Sequence, residues 1–369
     1  MTSQQAQARI AMRDAYYNEH CWIQAAAMRA ALDLLPGYPA NKSLTVVDYG
    51  CAQGANAFEP MEKIVSSLPD GATANLFFED TPWNDWSTLA KTVNKGIATL
   101  SKTGNVRIFP SLVPVGFYNQ VIPFQTADVG LSWSSFNYLE NQPDLKLDPT
   151  APPAEFVAAR QKAFGTAAHH DLIKLLKLRA TEIRDGGYLV AAIGGQQPAS
   201  DPRPTNTGFA PLQAALLKMM RNGRISGTEL AQFALFPSHE RTPEEIRAVL
   251  GVPEVVALWE VEVLESKLIV HPAWVAYQSA LQAAADDDAK KEQAFQAYAR
   301  ATVMNLISSS GWFWLEILEK NRGHDWKGGE ALLEELTQVA VQEVVENFKG
   351  MRVEIWYTYL KLNRRSGRV

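Results

Sequence analysis

The sequence predicts an α/β fold: a doubly wound, mostly parallel sheet that carries a helical cap. Two observations lead there. Strand-like and helix-like segments alternate through the first half of the chain, and alternation of that kind builds a parallel sheet with crossover helices. The composition then shifts at Gln196 to Gly208 towards Pro, Ser, Asp and Thr. Beyond that linker, helical patterns dominate to about residue 320.

The first strand is Val46-Val47-Asp48, followed by a glycine turn and the small residues that open a helix. Leu76-Phe77-Phe78-Glu79-Asp80 reads as a buried second strand ending in carboxylates. Val106-Arg107-Ile108-Phe109 and Asp128-Val129-Gly130-Leu131-Ser132-Trp133 follow as strands. A helical stretch near Asp171 to Ile183 leads into the strand Gly187 to Gly194. After the linker, Leu212 to Arg221 and Ser226 to Ala234 read as helices. Thr242-Pro243-Glu244-Glu245 is a helix start, with Pro in the first turn and acids beside it. Gln278 to Leu306 is also helical. Met351 to Leu362, where Val353, Ile355, Tyr357 and Tyr359 alternate, reads as a late strand returning to the sheet. The expected division is a sheet core at 1–198, a mainly helical cap at 199–320 and a C-terminal return at 321–369.

The first turn bears on the ligand. A dinucleotide carries a pyrophosphate, which needs a glycine-rich helix N-terminus for close backbone approach. Here the pattern is Asp48-x-Gly50-x-x-x-Gly54 rather than G-x-G-x-x-G. S-adenosylmethionine has no phosphate. Its amino-acid tail carries an ammonium that suits an acidic strand end such as Asp48. An acid at the end of the second strand, Asp80 or Glu79, suits ribose hydroxyls. A solvated loop acid is the plain alternative for that position.

Other classes fit poorly. The net charge of −5 disfavours a nucleic-acid surface, and the only basic cluster is the tail Arg364-Arg365-Ser366-Gly367-Arg368. Two cysteines, Cys21 and Cys51, do not make a disulfide scaffold, and no Cys/His metal spacing occurs. The adjacent His169-His170-Asp171 falls in a helical stretch, where neighbours point in different directions and do not share a metal. No signal-peptide core and no run of membrane-spanning length is present. The expectation is a cytoplasmic protein with no metal, no membrane partner and no nucleic-acid partner.

Several ordered motifs resemble one family, the SABATH methyltransferases, which include salicylate and jasmonate carboxyl methyltransferases. Tyr17-Asn18-Glu19-His20-Cys21-Trp22-Ile23-Gln24 resembles its Tyr-x-x-Asn-Ser-x-x-Gln signature, with His20 and Cys21 replacing Asn-Ser. The segment from Asp48 to Asn56 is similar to Asp-Leu-Gly-Cys-Ser-Ser-Gly-Pro-Asn. Asp80-Thr81-Pro82-Trp83-Asn84-Asp85-Trp86 is similar to Asp-Leu-Pro-x-Asn-Asp-Phe. Val113 to Tyr118 resembles Val-Pro-Gly-Ser-Phe-Tyr, and Gly186 to Val190 resembles a Gly-Gly-Arg-Met-Val strand.

The resemblance implies a Rossmann-like methyltransferase core that binds S-adenosylmethionine and releases S-adenosylhomocysteine. It places Tyr17, Cys21, Asp48, Gly50 and Asn56 at the donor's amino-acid tail. Asp80 and Thr81 fall at the ribose, Gly116 and Phe117 at the adenine, and Ser132 beneath the donor. Cys21 stands where the family has serine and reads equally as a small buried residue. On the acceptor side, Gln24 falls on the glutamine that bonds the substrate carboxylate. Tyr138, with Asn137 beside it, stands where the family has tryptophan. Phe209, His239 and Phe348 fall near pocket residues, although for Phe209 and Phe348 taken alone simple packing is the better reading.

The implied reaction moves a methyl group to the carboxylate of a small, largely apolar acid. A carboxylate is ionised at neutral pH and needs no general base. Neutral donors such as Gln24 and Tyr138 orient it without the tight ion pair an arginine forms. Two other readings stay open. One is an N- or O-methyltransferase of a heteroaromatic acceptor, with His239 as base. The other is a non-catalytic binding protein on the same scaffold. The family resemblance also implies a homodimer.

Overall fold

A computed structural model describes residues 10–12, 16–100, 105–145, 153–201, 203, 205–323 and 325–367. The short helices α1 (Tyr17–His20) and α2 (Trp22–Arg29) precede the sheet. There follow β1 (Ser43–Tyr49), α3 (Phe58–Val65), β2 (Thr73–Glu79), α4 (Trp86–Leu100), β3 (Arg107–Val113) and β4 (Ala127–Trp133). The long helix α5 (Pro153–Glu182) crosses over to β5 (Ile183–Gly195). Next come α6 (Phe209–Arg221), α7 (Gly227–Phe233), α8 (Pro243–Leu250), α9 (Pro253–Val256) and β6 (Trp259–Val270). The chain ends with α10 (Pro272–Ala284), α11 (Asp288–Arg322), α12 (Gly329–Asn347) and β7 (Glu354–Arg364).

The strand order is β3-β2-β1-β4-β5-β7-β6. The first five strands are parallel, and β7 inserts antiparallel between β5 and β6. This is the expected doubly wound sheet, and each strand read from the sequence is present. Helices α2, α3 and α4 cover one face, where Met28, Met61 and Leu89 pack on Val46, Leu76 and Tyr359. Helices α5, α8 and α9 cover the other, where Leu172, Ile246 and Val255 pack on Val47, Ile193 and Leu360. A sheet covered on both faces explains why β4 is buried along its whole length. Helix α8 begins as its sequence predicts: Thr242 accepts from the Glu245 amide, and Glu245 accepts in return from the Thr242 amide.

Two elements depart from the expected division. Strand β6 falls inside the 199–320 segment expected to be mainly helical. It is an edge strand, and Glu260, Glu262, Glu265 and Lys267 intersperse its apolar residues, which weakens the apolar signal while guarding the edge. Helix α12 lies beyond residue 320 yet shares one core with α6, α7 and α11, through Leu216, Phe233, Trp314 and Leu336. The helical layer therefore draws on residues beyond the expected boundary, because its core closes only when α12 folds back on it. No helix among the described residues is long and apolar enough to cross a membrane.

Candidate active site

The carboxyl ends of β1, β2 and β4 converge on one crevice, where an open α/β sheet binds its ligands. Gly50 leaves β1 with φ of 73°, and a Cβ there would lie 2.4 Å from the Ser135 Cβ. A Cβ on Gly54, at φ of 84°, would lie 2.8 Å from Leu89. Both glycines are thus required by the turn's own conformation and packing. The turn is clamped from three sides. Asp80 accepts from the amides of Ala52 at 2.6 Å and Thr81 at 2.8 Å. Asn84 donates to the Ala52 carbonyl at 2.7 Å. Asn18 donates to the Gln53 carbonyl at 3.0 Å and accepts from the Ala55 amide at 3.2 Å.

Three carboxyl groups meet at these strand ends. Glu79 is fully buried and accepts from the Gly50 amide at 3.0 Å. Asp48 is 2% exposed, and its Oδ1 has no hydrogen-bond partner among the described residues. Burial, and then the charge of Asp80, pushes Asp48 up to about 8. Burial pushes Asp80 up to about 6 against the pull of the Ala52 and Thr81 amides. Glu79 is also raised, first by burial and then by Asp80. Such a cluster favours a cation, which would relieve repulsion and satisfy the orphaned oxygen. Asn56 donates to the Cys21 sulfur at 3.6 Å, so these two expected tail contacts do meet. Burial raises the Cys21 thiol to about 11 and keeps it neutral. Thr81 donates to the Ile10 carbonyl at 2.6 Å, which holds residues 10–12 beside the Asp80 turn.

The loop after β3 forms another wall. Phe117 packs against Phe136 with ring centroids 5.7 Å apart, and its ring lies next to Gly50. The loop hangs on Arg179 of α5, which is fully buried and donates to the carbonyls of Phe117 and Asn119, both at 2.9 Å. Arg179 pairs with buried Glu182 at 3.0 Å and lies over the Tyr49 ring at 4.1 Å. Ser132 is fully buried, and its hydroxyl meets Ser135 Oγ at 2.6 Å.

Next to this crevice, side chains from the N-terminal helices, the loop after β4, β7 and α11 come together. Gln24 is 8% exposed, and its Oε1 has no partner among the described residues. The Tyr138 hydroxyl lies 3.5 Å from the Ser309 carbonyl of α11. Tyr17, Tyr138 and Tyr357 are all buried; Tyr138 and Tyr357 help to raise Tyr17, Tyr357 helps to raise Tyr138, and Asp80 acts on both Tyr17 and Tyr138. Burial is the main cause in each, so the three phenols stay protonated. An aromatic wall backs Tyr138. Phe236 meets Tyr138 at 5.9 Å, Trp312 at 5.9 Å and Phe313 at 5.4 Å between ring centroids.

A family model described as SAM dependent carboxyl methyltransferase matches residues 13–320. The chain belongs to that family. It is an enzyme that uses S-adenosylmethionine. This methyltransferase is 28% identical over 368 residues to the O-methyltransferase acrG of Aspergillus aculeatus, covering 95% of this chain and 96% of the relative. It is 30% identical over 326 residues to the methyltransferase LUC1 of a Fusarium species, covering 85% of each. A solved structure of loganic acid methyltransferase with SAH shares the fold, with a TM-score of 0.69 at 20% identity. That match covers 97% of this chain and 99% of the other.

Not every residue expected at the methyltransferase's acceptor pocket is engaged there. His239 is buried, but its Nε2 is taken up by Glu245 of α8 at 3.2 Å, and its ring faces Gly165 of α5. Phe348 is half-buried and packs against the core of the helical layer. Phe209 is 43% exposed on the first turn of α6. Asn137 donates to Ser238 at 3.1 Å, and its Oδ1 is a further buried acceptor without a partner among the described residues. Sequence reading missed Asn18, Asn84, Arg179, Phe236, Trp312 and Tyr357 as site residues. Asn18 and Asn84 stood inside quoted motifs, whereas nothing local marked the other four. Among the described residues no group of three or more His, Cys, Asp or Glu side chains is arranged to hold a metal.

Proposed function

We propose that this methyltransferase esterifies the carboxylate of a small, largely apolar organic acid, by in-line displacement and without a general base. The observation that carries this reading is the group of buried neutral donors beside the donor crevice. It combines the buried amide of Gln24 with protonated phenols and an aromatic wall. Neutral donors orient an ionised acid without quenching its nucleophilic oxygen. The aromatic wall excludes water and favours an apolar acyl group. When bound, S-adenosylmethionine supplies an electrophilic methyl on a sulfonium centre. On this reading Asp80 and Thr81 lie at the ribose, while Asp48, Cys21 and Asn56 receive the amino-acid tail. Gly116 and Phe117 border the adenine, and Gln24 and Tyr138 hold the acceptor carboxylate. His239, engaged by Glu245, has no part in the reaction.

Gln24→Ala removes a hydrogen bond to a charged group, which contributes about 1.5–3 kcal/mol. The expected result is a fall of about tenfold or more in kcat/KM for the acid, with affinity for S-adenosylhomocysteine unchanged. Tyr138→Phe should act in the same direction. Unaltered acceptor kinetics in both variants overturn the proposal. The assay uses methyl-labelled donor with a panel of aromatic and aliphatic monocarboxylic acids.

The Asp48 carboxyl adds a proton linkage. It is mostly protonated at pH 7 because burial and Asp80 push it up to about 8. Pairing with the ammonium of the ligand needs the ionised form, so binding lowers its pKa and expels the proton. Affinity for S-adenosylhomocysteine is therefore expected to rise from about pH 6 to about pH 8. At pH 7, calorimetric titrations in phosphate and in Tris should give different enthalpies, and Asp48→Asn should abolish the difference. Equal enthalpies in the wild type would remove Asp48 from the ammonium site.

A further inference from the structure

Tyr357 lies on β7, a strand that the sequence presents only as a return to the sheet. Its neighbour on the same face, Tyr359, has a structural partner: its hydroxyl donates to the Ala27 carbonyl of α2 at 3.1 Å. Two residues earlier, Tyr357 lies near Cys21, and also near Tyr17 and Tyr138. Strand β7 thus runs alongside α2, with Tyr359 at Ala27 and Tyr357 towards Cys21. On α2, Gln24 lies one turn before Ala27 and one turn after Cys21.

The hydroxyl of Tyr357 is also set in a particular way. Ser134 Oγ donates to it at 3.2 Å. A phenol that accepts still has its own proton to give. Ser134 adopts φ of 63°, a left-handed conformation that serine rarely takes, and its amide is fixed to the Ala192 carbonyl at 2.8 Å. Strain of this kind persists only where the surroundings enforce it, and it gathers at functional sites. The ring itself is 3% exposed, so bulk water is a poor recipient for the proton.

We propose that Tyr357 is an additional acceptor-binding residue, donating its phenolic proton to the acid's carboxylate alongside Gln24, with Ser134 as its positioning residue. The proposal rests on the carboxyl-methylation reading above. It adds a hydroxyl from the far end of the chain to the donors supplied by the N-terminal helix and the loop after β4.

The test uses Tyr357→Phe, Ser134→Gly and the double variant, with benzoate, phenylacetate and octanoate as probe acids. Glycine keeps the left-handed backbone while removing the hydroxyl. Acid binding is measured by calorimetry on the S-adenosylhomocysteine complex, beside KM, kcat and the unfolding midpoint. In Tyr357→Phe, Kd and KM for the acid taken by the wild type should rise about tenfold, and kcat should change far less. Affinity for S-adenosylhomocysteine and the unfolding midpoint should stay at wild-type values. Ser134→Gly should give a smaller rise that disappears in the Tyr357→Phe background, since it acts through that phenol. If the wild type takes an acid and Tyr357→Phe binds it equally well, the Tyr357 assignment alone is overturned. Parallel losses of S-adenosylhomocysteine and acid binding would make the role structural and also overturn it. If the wild type neither binds nor methylates any probe acid, the carboxyl reading fails and the Tyr357 assignment falls with it.

Discussion

Asp80→Ala is expected to weaken S-adenosylhomocysteine binding by about 100-fold or more. Each hydrogen bond to an ionised carboxylate contributes about 1.5–3 kcal/mol, and the ribose offers two hydroxyls. The variant also strips the acceptors from the Ala52 and Thr81 amides. Ala52 holds a left-handed φ of 49°, a strained conformation that depends on such anchors. Asp80→Asn separates the two effects. Its amide oxygen can still accept from one backbone N–H, so the turn should survive while the charge is lost. Binding that weakens about tenfold in Asp80→Asn and far more in Asp80→Ala fits a carboxylate that both shapes the turn and grips the ribose. Wild-type affinity in Asp80→Ala, measured by titration calorimetry, would rule the ribose contact out.

Arg179→Met is expected to cause the largest loss of stability of any substitution considered, about 3–5 kcal/mol, because it leaves a buried carboxylate without its cation. Arg179 and Glu182 are both fully buried. Glu182 would keep only the Tyr49 hydroxyl at 2.7 Å and the Val121 amide at 2.7 Å. The carbonyls of Phe117 and Asn119 would lose their donors as well, and the loop bordering the donor crevice would lose its anchor. Urea unfolding measures the effect. Removing the partner too, in Arg179→Met/Glu182→Leu, should recover a large part of the stability, since the uncompensated charge is gone. Donor affinity should stay weakened in the double variant, because the loop remains untethered. A single variant within about 1 kcal/mol of wild type would show that water reaches Glu182 and screens it.

Local chemistry explains what could be read early. The ends of β1 and β2 announce themselves through short apolar runs that stop at Asp48 and at Glu79-Asp80, next to glycines or proline. Strand and turn signals act over a few residues, so they survive in the linear sequence. The same holds for the start of α8, where cap, proline and acids are adjacent. Edge strand β6 was lost because its charged positions protect an edge, and only the finished sheet reveals which strand is the edge. The insertion of β7 between β5 and β6 was likewise hidden, because pairing partners more than 80 residues apart leave no local mark.

The sequence by itself determined the α/β class, the glycine turn and its acids, and the motifs that pointed to a methyl donor. Only the tertiary structure decided which side chains share a site. Gln24, Ser134, Tyr138, Trp312 and Tyr357 come from distant parts of the chain, and folding alone brings their elements together. It also gave His239 a partner in Glu245 and set Phe348 against a helical core. The physical reason is the same in each case. A side chain's role depends on burial and on the partners it finds, and both are set by packing between segments distant in sequence.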